Sequence, residues 1–107
     1  MKAILSSSFI NSLNKYSLLK KEIQKKVDVI IKNPLTLGET LKDNFRGFYS
    51  TPVKKNFLII YLYCLPCRKK GDDKIVLCMD CENIADETLR FVALGPHDEA
   101  YNKNKFI

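Results

Sequence analysis

The stretch that decides the fold is Phe57-Leu-Ile-Ile-Tyr-Leu-Tyr63. An unbroken apolar and aromatic run of this length predicts a strand that is buried on both faces. It leads directly into Cys64-Leu-Pro-Cys67, and a second cysteine pair follows at Cys78-Met-Asp-Cys81. Residues 88–94 form another strand-like run, which ends just before the only histidine of the chain. The sequence therefore places a cysteine-rich insert between two buried strands.

The N-terminal part predicts a short strand followed by a helical hairpin. Residues 2–6 are the strand, and a serine at position 6, 7 or 8 can cap the first helix, which runs toward Tyr16. A second, amphipathic helix starts near Leu18, and Asn33-Pro34 ends it because a residue before proline avoids the α region. Its apolar face contains Leu19, Ile23, Val27, Ile30 and Ile31.

The rest of the chain predicts three further strands. Residues 35–43 read as a loop, and residues 44–53 as a strand in which Gly47 and Pro52 indicate an irregular or edge position. A turn at residues 54–56 leads into the buried strand at 57–63. The predicted fold is a single α+β domain of residues 1–107, with an N-terminal strand and helical hairpin packed on an antiparallel sheet. Its last three strands form a meander, with the cysteine insert between the last two.

Charge is distributed unevenly along the 107 residues, which carry a net charge of +6. Residues 1–56 have 11 basic and 4 acidic side chains, whereas residues 57–107 have 7 and 8. A basic half indicates a polyanionic partner, either RNA or an acidic protein, or simply a well-solvated surface. No apolar run approaches the roughly 20 residues of a membrane span, and the N-terminus does not resemble a signal peptide. We expect a cytoplasmic protein without a membrane partner.

The cysteine spacing is typical of a structural zinc site. Two Cys-x2-Cys pairs can present four thiolates in a tetrahedron, and Pro66 and Gly71 suit tight turns beside them. Disulfides or redox-sensitive thiols are the alternatives, and an iron–sulfur cluster uses the same ligands. A site with four protein ligands has no open position, so we assign the zinc a structural role. The predicted ligands are Cys64, Cys67, Cys78 and Cys81.

The order of elements and four local motifs resemble the RelE/ParE superfamily of toxins from toxin–antitoxin pairs. The first motif is the helical hairpin that ends at Asn33-Pro34. The other three are Leu41-Lys-Asp-Asn-Phe-Arg-Gly-Phe-Tyr49, Phe57-Leu-Ile-Ile-Tyr61 and Leu94-Gly-Pro-His-Asp-Glu-Ala-Tyr101. Together they span most of the chain outside the cysteine insert. The resemblance implies a RelE-like fold and a cognate antitoxin as partner.

The resemblance also implies an endoribonuclease that cuts mRNA, often on the ribosome. Attack of a 2′-hydroxyl on the adjacent phosphate needs a base, an acid and nearby cations. His97 matches the C-terminal histidine of the family and Tyr101 can contact phosphate or stack on a base. The candidate cations are Lys54, Lys55 and Arg46. Position 58, where the family carries an arginine, is Leu58 in this chain.

These residues also admit less specific interpretations. His97 can lie exposed in a turn that Asp98 caps, and Tyr101 can simply pack on the sheet edge. Leu58 favours a binding protein without catalysis, such as a gyrase-type poison, a degenerate toxin or a zinc-ribbon RNA-binding protein. A stand-alone zinc-ribbon adaptor is a third interpretation, against which the ordered scaffold around the insert argues.

Overall fold

Among the described residues, helices and strands follow one another in the predicted order, with three short additions: a 3-10 turn, a two-residue strand and a short third helix. The computed structural model describes residues 2–35, 38–41, 47–54, 56–71, 83–96 and 100–101. The elements are β1 (Lys2–Leu5), α1 (Ser7–Lys15), a 3-10 helical turn (Ser17–Leu19), α2 (Lys20–Lys32), β2 (Glu39–Thr40), β3 (Phe48–Lys54), β4 (Phe57–Tyr63), α3 (Cys64–Lys69) and β5 (Thr88–Pro96).

Strand β4 lies at the centre of the sheet, as its apolar sequence predicts. The described strands form one sheet in the order β1-β5-β4-β3-β2, and both neighbours of β4 run antiparallel to it. Ile59, Ile60 and Tyr61 are fully buried. Because alternate residues of a strand point to opposite faces, β4 needs apolar packing on both sides of the sheet. The predicted meander of the last three strands is confirmed.

Strand β1 adds a parallel edge to this antiparallel sheet. It pairs with β5, and the register joins Lys2 to Thr88 and Leu5 to Phe91. A parallel neighbour requires a long connection, and all the elements from α1 to α3 lie between β1 and β5 in sequence. The predicted antiparallel arrangement therefore holds from β5 to β2. Strand β1 is added at the β5 edge as a parallel strand.

Ser6 joins the start of α1 to the sheet. Its Oγ accepts a hydrogen bond of 3.0 Å from the N–H of Phe9 and so caps the helix. The same hydroxyl donates to the carbonyl oxygen of Val92 at 3.0 Å. The N–H of Ser6 donates to the carbonyl oxygen of Phe91, also at 3.0 Å. Ser6 is therefore the capping serine among the three candidates, and it fixes α1 on β5.

Both helices pack on one face of the sheet, as predicted. Helix α1 contributes Phe9 to a buried core, and α2 contributes Ile23, Val27 and Ile30. Leu19 and Ile31, which the sequence places on the same face of α2, pack partly buried against this core. The sheet residues of the core are Tyr49, Phe57, Ile59, Tyr61, Tyr63, Leu89, Phe91 and Leu94.

The hydroxyl of Tyr61 holds the end of α2 against the sheet. The helix ends at Lys32 with Asn33 as its C-cap, as the following Pro34 predicts. Tyr61 Oη donates a hydrogen bond of 3.1 Å to the carbonyl oxygen of Pro34. Burial, with a smaller contribution from Tyr49, raises the pKa of Tyr61 to about 12, so the hydroxyl keeps its proton. Gly38 lies against the same ring, where a Cβ would be 2.2 Å from the hydroxyl oxygen.

The short elements are less predictable from sequence. Strand β2 lies within the predicted loop and pairs Glu39 with Ser50, but two residues are too few to show a periodicity. In β3 the register against β4 shifts between Pro52 and Lys54, which confirms the predicted irregularity. The predicted strand tip at residues 75–77 lies outside the described residues. Among the helices that are described, none has the length and apolar character needed to cross a membrane.

We expect Gly38→Ala to lower the free energy of unfolding by about 1–3 kcal/mol, because the new methyl group collides with the buried ring of Tyr61. Tyr61→Phe should lower it by about 1 kcal/mol through loss of the hydrogen bond to Pro34. The double variant lacks the colliding hydroxyl, so its loss should be smaller than the sum of the two. Urea denaturation of the wild type, the two single variants and the double variant measures these free energies of unfolding. Strictly additive losses in the double variant would contradict a contact between position 38 and the Tyr61 hydroxyl.

Candidate functional site

The register of the sheet brings Lys54 and the C-terminal motif to the same end of the molecule. Lys54 on β3 pairs with Phe57 on β4, and Phe57 pairs with Pro96 on β5. Adjacent strands are about 4.8 Å apart, so the backbones of Lys54 and Pro96 lie roughly 10 Å from each other. His97 is the next residue after Pro96. Three candidate residues lie outside the described part of the chain: His97, Lys55 and Arg46.

The side chain of Lys54 lies on the helix side of the sheet. Its Nζ is 3.6 Å from Oε1 of Glu22 on α2, and the two side chains are 52% and 46% exposed. An exposed ion pair of this kind stabilises a protein by about 0–1 kcal/mol. A phosphate that approached this end of the sheet would therefore displace Glu22 from Lys54 at little energetic penalty.

Tyr101 packs on the opposite face of the sheet. A second apolar cluster covers that face and contains Phe48, Ile60, Leu62, Cys67, Val92, Ala93 and Ala100. Leu41, Leu58 and Tyr101 pack against this second cluster. Ala100 is fully buried, whereas Tyr101 is only partly buried. The phenol ring therefore packs on the sheet while part of it stays exposed to solvent. The described contacts of Lys54 and Tyr101 lie on different faces, so the structure does not bring these two candidates together.

Position 58 lies on the same face as Tyr101. Leu58 pairs with Pro52 and Gly95 across the sheet, and its side chain packs against the second cluster. The resemblance to the toxins implies an arginine at this position. Leucine, however, supplies hydrophobic contact and no charge. The face that holds Tyr101 therefore lacks, at this position, the cation that the implied reaction needs.

Arg90 is a cation that the sequence reasoning missed. Its neighbours Leu89 and Phe91 belong to the helix-side core, so strand alternation directs Arg90 to the face of Tyr101. It is partly buried and pairs with Leu62 of β4, four residues along that strand from Leu58. At about 3.4 Å per residue, the backbones of the two positions are roughly 13 Å apart, so Arg90 does not occupy the position of Leu58. The signal for Arg90 in the sequence is Thr88-Leu-Arg-Phe91, in which polar and apolar residues alternate as in a strand.

The first cysteine pair lies on a short helix and not in the expected tight turn. Cys64 and Cys67 are both buried in α3, and residues three apart share one face of a helix. The spacing alone does not distinguish the two geometries. Pro66 is tolerated because N–H groups in the first turn have no helical partner. Gly71, with φ of 78°, follows the helix in the left-handed conformation that commonly ends helices.

Arg68 connects α3 to the segment that returns to the sheet. Its Nη1 donates to Oδ1 of Asp86, and its Nη2 donates to the carbonyl oxygen of Ile84 at 2.6 Å. The side chains of Arg68 and Asp86 are 24% and 57% exposed. Helix α3 precedes residues 72–82, and Ile84 follows them closely. One guanidinium group therefore bridges the two ends of the segment that carries the second cysteine pair.

Half of the predicted metal site lies within the described residues. Cys78 and Cys81 lie outside them, and no group of three or more metal-binding side chains occurs among the residues described. Cysteine thiolates in two Cys-x2-Cys pairs are ligands that zinc prefers. Cys64 and Cys67 are reduced thiols on one helical turn. Zinc itself stays a prediction.

Comparison with known proteins identifies the fold. No protein-family model matches the chain, and no curated protein matches its sequence. Among solved structures it is similar to YafQ from E. coli strain BL21(DE3), with a TM-score of 0.62 and 16% identity over 94% of this chain and 98% of that one. It is also similar to a copper-bound mutant toxin from Helicobacter pylori, with a TM-score of 0.63 and 18% identity over 94% and 99%. The resemblance to RelE/ParE toxins is therefore confirmed as one of fold, along almost the whole chain.

Proposed function

We propose that this chain is the toxin of a type II toxin–antitoxin pair and that it cleaves mRNA on the ribosome. The observation that carries the proposal is the fold, which the chain shares over 94% of its length with YafQ and with the Helicobacter pylori toxin. The basic N-terminal half supports it, because both mRNA and an acidic antitoxin segment would be attracted to positive charge. A cognate antitoxin is the protein partner that this function requires.

The proposed reaction uses the residues at the end of the sheet. The 2′-oxygen attacks phosphorus, the bond to the 5′-oxygen breaks, and a 2′,3′-cyclic phosphate and a 5′-hydroxyl result. His97 would carry a proton in this reaction, since imidazole titrates near neutral pH. Tyr101 would contact the phosphate or stack on a base. Lys55 and Arg46 would supply positive charge to the phosphate oxygens, and Lys54 would do so after leaving its ion pair with Glu22 on the helix side of the sheet.

Binding without catalysis is the second candidate function, and Leu58 is the observation that favours it. A positioned cation contributes orders of magnitude to phosphoryl transfer. In this chain the position is occupied by an apolar side chain that packs against the second cluster. A gyrase-type poison or a toxin that has lost its nuclease activity fits that feature. The two functions differ in whether mRNA is cut.

We expect His97→Ala to abolish growth arrest and to lower mRNA cleavage by about 10²–10⁴-fold, the usual contribution of an acid–base group. Asp98→Asn is the matched control, because asparagine still caps a turn and leaves the histidine in place. Growth curves and primer extension on mRNA after induction in a bacterium measure both effects, with soluble protein quantified in parallel. Cleavage that survives His97→Ala at the wild-type rate would exclude His97 as the catalytic acid or base.

We expect Leu58→Arg to raise mRNA cleavage about tenfold or more, because it places a cation on the same face of the sheet as Tyr101. The aliphatic part of arginine can replace the packing of leucine while the guanidinium reaches solvent. Leu58→Gln is the control, since it adds polarity without charge. Primer extension on a defined mRNA measures the rates. Equal cleavage by the arginine and glutamine variants would show that no phosphate binds at this face.

We also propose that one structural zinc ion is held by the thiolates of Cys64, Cys67, Cys78 and Cys81. The spacing of the four cysteines supports this assignment, and the burial of Cys64 and Cys67 on one helix agrees with it. With four protein ligands the ion has no open position, so its contribution is to stability. It would fix the connection between β4 and β5 and, through β5, the placement of the C-terminal motif.

We expect Cys78→Ser to remove most of the bound zinc and to lower the melting temperature, because a structural zinc site contributes folding free energy. Met79→Ser is the control, since it changes the adjacent residue and keeps all four thiols. Elemental analysis of protein purified without added metal gives the zinc content, and thermal unfolding gives the melting temperature. If the Cys78→Ser protein has the zinc content and the melting temperature of the wild type, the four-cysteine zinc site is refuted.

A further inference from the structure

We infer that Glu22 sets the affinity of this chain for RNA, because its carboxylate competes with the RNA phosphates for Lys54. The inference rests on the proposed function, in which Lys54 binds phosphate, and adds a residue outside the motifs that resemble the toxins. Its basis is the ion pair between Lys54 Nζ on β3 and Glu22 Oε1 on α2, which are 3.6 Å apart. In the protein without RNA, this carboxylate lies where a phosphate oxygen would have to bind.

The contact between the two side chains is one that a phosphate can replace. Both groups are about half exposed to water, which weakens their attraction. The distance of 3.6 Å also exceeds the roughly 2.7–2.9 Å of a charge-assisted hydrogen bond. A phosphate group offers the ammonium group a full negative charge and several acceptor oxygens. Exchange of one anion for the other therefore leaves Lys54 paired throughout.

Glu22 keeps favourable surroundings when Lys54 leaves it. It lies in the first turn of α2, where the helix dipole stabilises a negative charge. Lys26 follows it by four residues, and a glutamate that precedes a lysine by four positions forms a favourable pair on a helix. The carboxylate thus does not depend on Lys54 for a positive neighbour. Release of Lys54 to a phosphate strands no charge in an unfavourable place.

The second carboxylate of α2 provides a comparison with the same charge. Asp28 is exposed, and its Oδ1 accepts a hydrogen bond of 3.3 Å from Nε2 of Gln24. Six residues separate it from Glu22, which places it about 120° around the helix. Neutralising either carboxylate changes the net charge by the same amount, so the general attraction of RNA to the protein changes similarly. Only the loss of the Glu22 carboxylate removes the partner of Lys54.

The experiment measures RNA affinity of the full-length chain by fluorescence anisotropy at low salt. The probe is a labelled single-stranded RNA with 2′-O-methyl groups, which block attack by the 2′-oxygen and leave binding alone to be observed. We expect Glu22→Gln to bind this RNA about two- to fivefold more tightly than Asp28→Asn, the range in which an exposed ion pair shifts an equilibrium. In a Lys54→Gln background the two substitutions should give equal affinities.

Each outcome bears on the inference or on the function beneath it. Equal affinities of Glu22→Gln and Asp28→Asn in the presence of Lys54 overturn the inference alone. A difference that persists without Lys54 also overturns it, because Glu22 then acts through another group. Wild-type protein that does not bind the probe overturns the inference, whereas the proposed nuclease fails separately, when mRNA stays intact after induction. Glu22 and Asp28 are both exposed, so both variants should fold, and circular dichroism checks that they do.

Discussion

Burial of β4 on both faces is the constraint on which the rest of the structure depends. A strand with apolar residues on both sides requires a cover above and below the sheet. On one side α1 and α2 supply it, with Phe9 and Ile23 among the residues that reach the sheet. On the other side the described cover is shorter and comes from α3, Leu41 and residues 100–101. The candidate functional segments are therefore also packing elements, and Cys67 and Tyr101 both contact the second cluster.

Local sequence patterns predict the elements that are fixed by local physics. The apolar run of β4, the amphipathic face of α2 and the proline after Asn33 each act within a few residues, and each prediction is confirmed. The parallel pairing of β1 has no local signature, because a four-residue strand does not reveal its partner. The sequence predicts a turn where α3 forms, because a spacing of three residues between cysteines fits both a turn and a helix.

The candidate site is predictable as a set of residue types but not as an arrangement. Sequence alone nominates Lys54 and Tyr101 together, yet the ion pair of Lys54 with Glu22 and the packing of Tyr101 on the second cluster place them on different faces. The bridge between Arg68 and Asp86 joins residues 18 positions apart and is set by tertiary structure. Arg90 was overlooked because a charged residue in a strand is usually read as solvent-facing, whereas here both faces of the sheet are covered.

The position of β1 beside β5 determines when during synthesis the fold can be completed. Ser6, which follows β1 and caps α1, donates to Val92 across 86 positions of sequence. Contacts of such long range form late, because a large loop must close before they do. Synthesis proceeds from the N-terminus, so β1 and α1 leave the ribosome long before their partner strand exists. A nascent chain therefore carries an unpaired edge and an undocked helix until β5 has emerged.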